Sequence, residues 1–131
     1  MSVIKLDNQK FEVAQLSQVA REQYNAILFT EGKLKSLNSN RENLQKARRS
    51  VAELVSQNLP EKAHPNKKNG IVTINGDKFV VDDFAEETKK HLNHIIELDK
   101  KLALLDMEMS MVQTARHSYV KTLSRHLQTA A

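Results

Sequence analysis

With 131 residues, 40% of them hydrophobic and only three Gly and two Pro, the chain suits one helix-rich domain or two small units sharing a core, and disfavours an all-β sandwich or barrel. The absence of Cys excludes a disulfide framework, a thiolate metal site and a thiol nucleophile. The net charge of +4 lies in residues 1–70, with 12 Lys/Arg against 7 Asp/Glu, while residues 71–131 carry 8 against 9, an excess that suits an anionic ligand but falls short of the dense basic stripe of a duplex binder.

The N-terminus, MSVIKLDNQKF, lacks the apolar core of a signal peptide, and no apolar run reaches transmembrane length, so a cytoplasmic protein is expected. Two short β-rich runs in 3–13 flank Asp7-Asn8 and predict a hairpin. A helix is predicted over about 17–58, with Ser17 as its cap and Gly32 as the place for a kink or break. Residues 60–70, with Pro60, Pro65, Lys67 and Lys68, read as a solvated linker. A second hairpin follows over 71–81 around Asn75-Gly76, the strongest short hairpin signal because a type I′ turn needs positive φ at both central positions. The last element is a helix over about 84–128, for which Asp83 with Glu86 makes a capping pattern and Asp82 and Glu87 favour the positive end of the helix dipole.

These elements form one unit used twice, 1–59 and 71–131, at an offset of 68 residues. Val3-Ile4-Lys5-Leu6 aligns with Ile71-Val72-Thr73-Ile74, and Lys10-Phe11 with Lys78-Phe79. The same register matches Ile27 with Ile95, Leu37 with Leu105, and Gln45-x-Ala47-Arg48-x-Ser50 with Gln113-x-Ala115-Arg116-x-Ser118. Phe11 and Phe79 are expected to pack each hairpin on a helix. The predicted class is mainly α with short β-hairpins, a tandem α+β repeat.

From Ile95, apolar residues step by three and four through Leu98, Leu102, Leu105, Met109 and Val112, then Arg116, Tyr119 and Leu123. That is a coiled-coil seam. The first copy runs Ile27, Thr30, Leu34, Leu37, Arg41, Leu44, Arg48, Val51 and Val55. A further row, Leu104, Met107, Met111 and Ala115, widens the buried face expected for the second helix and prepares it for more than one neighbour, hence a homo-oligomer. A helix of about 40 residues is about 60 Å long, and an 11-residue linker spans at most about 36 Å. Unbroken helices packing within one chain therefore run antiparallel; exchange of units between two chains meets the same constraint.

Arg48 and Arg116 occupy the same step of the repeat inside this seam, and a buried guanidinium needs an anionic partner. The partner is either a carboxylate across the seam, such as Glu97 or Asp99 for Arg48, or the phosphate or carboxylate of a bound ligand. In the ligand reading Tyr119 stacks on a base or sugar, Gln113 and Gln45 hydrogen-bond to it, and Arg41 adds a cation. His91 and His94 with Glu87 share a helix face but lack a third strong ligand at motif spacing, so no metal or other cofactor is expected. No phosphate loop, nucleophile elbow or HExxH pattern is present, and no enzyme is expected.

Ile74-Asn75-Gly76-Asp77-Lys78-Phe79 followed by Gln113-Thr114-Ala115-Arg116-His117-Ser118-Tyr119 resembles a family of short uncharacterised bacterial and phage proteins, whose pattern is a hairpin and one long helix carrying Q-T-A-R-x-x-Y. The likeness covers nearly all of 71–131; the first half departs from it, with Lys46 for Thr and Val51 for Tyr. In architecture alone the chain also resembles phage anti-defence sponges that sequester cyclic nucleotides. The resulting expectation is an oligomeric binding protein that sequesters an anionic, nucleotide-like ligand through Arg48 and Arg116. Its rivals are a structural or protein-partner module with no small ligand, and a weak nucleic-acid binder.

Overall fold

The structure is a computed structural model and describes residues 3–6, 9–12 and 16–129. Strands β1 (Val3–Leu6) and β2 (Gln9–Glu12) form an antiparallel hairpin, with Ile4 opposite Phe11. Helix α1 (Gln18–Ser56) follows. A second antiparallel hairpin pairs β3 (Ile71–Ile74) with β4 (Asp77–Val80), placing Val72 opposite Phe79. A single 3-10 turn (Val81–Asp83) leads into helix α2 (Glu86–Thr129). The Asp7-Asn8 turn and the side chain of Phe11 lie outside the described residues.

Local chemistry accounts for most element ends. Ser17 caps α1, its Oγ accepting the Ala20 N–H at 3.2 Å. Asn75 (φ 52°) and Gly76 (φ 83°) supply the two positive φ angles of the β3–β4 turn. Gly32 does not break α1, which runs through it without interruption. Asp83 does not cap α2; it belongs to the 3-10 turn, and α2 begins three residues later with Glu86 and Glu87 in its first turn. The linker is tied to the second hairpin. Ala63 N–H donates to the Lys78 carbonyl at 2.8 Å, Lys62 Nζ lies 3.4 Å from Asp77 Oδ1, and Val81 N–H donates to the Gly70 carbonyl at 2.8 Å.

The chain divides into two compact units, one drawn from both ends of the sequence and the other from its middle. Unit 1 is 1–39 with 105–131, and unit 2 is 40–104. In unit 1, Leu16, Ala20 and Ile27 of the α1 end pack with Leu123 and Leu127 of α2, joined by half-buried Tyr24, Tyr119 and Val120. Ion pairs Lys33–Glu108 and Glu31–Arg116 order the two helix segments in opposite directions, since α1 advances as α2 retreats. In unit 2, Val55 near the end of α1 packs with Phe79 of β4, Phe84 and Leu92 at the start of α2. The Phe79 and Phe84 rings meet edge to face, with centroids 6.1 Å apart. Thr30 and Thr88 are the buried polar residues among those described; Thr30 Oγ1 donates to the Ile27 carbonyl at 2.7 Å.

Three substitutions test this account by chemical denaturation. Gly32→Ala, at a helical site where a Cβ meets nothing within 4 Å, should stabilise the chain by about 0.5–1 kcal/mol. Gly76→Ala, at positive φ, should destabilise it by about 1 kcal/mol. Leu123→Ala, which empties a fully buried site, should cost about 2–5 kcal/mol.

Candidate functional site

Arg48 and Asp99 face each other in unit 2. The guanidinium Nε donates to Oδ1 at 2.5 Å and a terminal nitrogen donates to Oδ2 at 3.3 Å, the fork-on-carboxylate geometry that arginine favours. In unit 1 Arg116 donates to Glu31 Oε1 at 3.0 Å. The same offset of 68 residues relates Arg48 to Arg116 and Glu31 to Asp99, so one ion pair occurs twice with its donor and acceptor helices exchanged. Lys33 Nζ–Glu108 at 3.5 Å has no such counterpart, because the offset positions are Lys101 and Asn40.

The environment of the arginines differs from the sequence expectation. Both side chains are 42% exposed and both carboxylates 49% exposed, so neither pair is desolvated. Both lie at the edge of the helix contact, where the long side chain covers apolar surface and the guanidinium stays wet. The hydrogen bond to Asp99 raises the Arg48 pKa above its ordinary value; partial burial opposes this and the attraction of the carboxylate adds to it.

The six residues singled out from the sequence fall in both units. Arg41, Gln45 and Arg48 belong to unit 2, and Gln113, Arg116 and Tyr119 to unit 1. Gln113 is exposed and Gln45 half-buried. Arg41 is half-buried and already engaged by a neighbouring group. Tyr119 packs against the unit 1 core and also lines a shallow groove of about 440 Å³ with Phe29, Lys33, Glu108 and Met111.

Two other features are open to ligands or partners. Unit 2 holds a cavity of about 590 Å³ beside Arg48 and Asp99, bounded by α1, the second hairpin and the start of α2. On α2 the row Leu104, Met107 and Met111, expected to widen a buried face, is exposed instead. Phe29 is the most exposed large apolar residue among those described, at 73%. The seam steps from Ile27 to Thr30 and skips Phe29, and that omission was its sequence signal. Lys89 and Asn93 of the cavity wall carried no such signal, since nothing in their spacing sets them apart from other polar helix residues.

Among the described residues no group of three His, Asp or Glu is placed to hold a metal, and His94 and Glu87 are exposed. No helix among them is long and apolar enough to cross a membrane. No protein-family model matches the chain, and no curated protein or solved structure matches it significantly.

Because the ion pairs are half exposed, Arg48→Ala and Arg116→Ala should each cost only about 0.2–1 kcal/mol. A double-mutant cycle on Arg48 and Asp99 by urea denaturation checks this; a coupling of several kcal/mol would contradict the solvated geometry.

Proposed function

We propose that the chain is a non-enzymatic helical association module of the cytoplasm that pairs with a second copy of itself through the outward face of unit 1, formed by Phe29 of α1 and Met107 and Met111 of α2. The observation that carries this reading is the exposure in unit 1 of Phe29 (73%), Met111 (69%) and Met107 (63%). Monomeric proteins seldom leave clustered large apolar side chains in water, and Met and aromatic residues are enriched at interfaces. Met adds shape tolerance, which suits a face that meets its own copy. In a twofold dimer each residue counts twice. Burying six such side chains contributes on the order of 10 kcal/mol, which is comparable to an association cost of about 4–15 kcal/mol. In this reading the two sequence copies are a tandem repeat whose helices pack antiparallel in coiled-coil fashion. The offset-related pairs Arg48–Asp99 and Arg116–Glu31 support that, as does the opposed order of the unit 1 ion pairs.

A second reading keeps the small anionic, nucleotide-like ligand, sequestered through Arg48 and Arg116. One observation favours it: Arg48 lines the cavity of unit 2. Each arginine must then exchange its carboxylate for a phosphate, and the two arginines serve separate sites, one in each unit. Thermal-shift measurements with linear and cyclic mononucleotides, repeated with Arg48→Ala and Arg116→Ala, test this. Saturation at 100 times Kd should add about 2.7 kcal/mol of apparent stability.

Sedimentation velocity tests the association reading. The chain should run as a dimer across the micromolar range, and the double variant Met107→Glu, Met111→Glu should run as a monomer with unchanged helical circular dichroism. A monomeric parent chain would overturn the proposal.

A further inference from the structure

The cavity of unit 2 is lined by three side chains that are smaller than the residues 68 positions away in unit 1. At the repeat offset, Ala52 answers to Val120, Val55 to Leu123 and Leu92 to Tyr24. In unit 1 the larger members of each pair, Val120, Leu123 and Tyr24, pack into the core. In unit 2 the smaller members, Ala52, Val55 and Leu92, line a space of about 590 Å³. Protein interiors are close-packed, and an unfilled space costs stability in proportion to its volume. A volume of this size falls in the range of small-molecule sites.

The walls define what fits. Val55 and Leu92 are buried and form the floor, while half-buried Val72 and Ile74 face it from the hairpin. Charge is confined to the outer part of the lining, where Arg48, Lys89 and Asp99 are half-buried or exposed. Arg48 directs Nε and one terminal nitrogen to Asp99, and a guanidinium carries five donors, so donors remain for a second oxyanion. Lys89 pairs with Glu86, an exposed partner 3.2 Å away whose hold is weak in water. A cation at one end of an apolar floor suits one anionic group with an apolar body, and Lys89, ten residues before Asp99 on α2, lies about 15 Å from it along the helix axis. Asp99 in the same wall repels a polyanion.

From this lining we infer that the cavity of unit 2 binds an amphipathic monoanion, its carboxylate or phosphodiester held by Arg48 and its aliphatic or aromatic body against Val55, Leu92, Val72 and Ile74. This rests on the small-ligand reading and replaces the polar nucleotide with a ligand that has an apolar body. It is independent of what covers the outward face of unit 1, because every contributing residue lies in unit 2.

The test is a titration of the ¹⁵N-labelled full chain with decanoate below its micellar concentration, with decanol and with cyclic AMP in parallel. Decanoate should give saturable shifts at the amides of Thr73, Asn75 and Asn93, which line the cavity, and leave those of Met107 and Met111 unmoved. Arg48→Met should weaken decanoate about tenfold while leaving decanol unchanged. The double variant Ala52→Val, Leu92→Tyr, which installs the unit 1 side chains, should abolish both; if it loses helical dichroism, Ala52→Val alone should weaken both. Decanoate shifts that are unsaturable, or unchanged in Arg48→Met and in the filled variant, overturn the inference. Saturable shifts from cyclic AMP with none from decanoate overturn it and leave the nucleotide reading standing. No saturable shift from any of the three overturns both.

Discussion

A hairpin of two four-residue strands does not hold together in water by itself, and a lone helix has only one stripe to bury. Everything in unit 2 follows from how this is solved. Phe79 of the hairpin meets Val55, from near the end of α1, and Phe84 and Leu92, from the approach to α2 and its start. Three segments, none stable alone, share one small core. The backbone bonds from Ala63 to Lys78 and from Val81 to Gly70 close the linker onto the same hairpin. The segment between the helices is therefore structured by the sheet edge, although its composition reads as a solvated connector. In unit 1, Leu16, Ala20 and Ile27 pack against Leu123 and Leu127, which lie about 100 positions away along the chain.

The paired arginines act on specificity more than on stability. At about half exposure an ion pair contributes a fraction of a kcal/mol to 1 kcal/mol. A shift of one helix along the other by a turn would nevertheless leave both carboxylates without their guanidinium and Lys33 without Glu108. Apolar seam residues tolerate such slips far better, because burial is non-directional. Leucines supply the energy of the helix contact, and the charged edge supplies its register.

The two units differ in what they leave unfinished. In unit 1, Tyr24, Val120 and Leu123 pack together inside, and Phe29, Met107 and Met111 are exposed outside. Unit 2 has a cavity lined by Ala52, Val55 and Leu92.

Much of the architecture was legible in the residues. Hairpins, helices and turn chemistry depend on interactions a few residues long, so Asn75-Gly76, Ser17 and the three-four apolar stepping identified the elements and their kind. The arginines could be placed at the helix contact, and Asp99 appeared among the carboxylates in reach of Arg48. Three matters required the tertiary structure. Periodicity shows which residues share a helix face but not whether another face covers it, so Met107 and Met111 read as core or interface residues and only the fold shows them exposed. A seam position does not reveal its depth, so Arg48 and Arg116 looked buried when they are half in water. The cavity beside Arg48 is lined by Ala52, Val55 and Leu92, brought together from two helices by the fold. Local sequence determines what each segment becomes; which surfaces it hides, and which space it leaves, depends on partners that are distant in the chain.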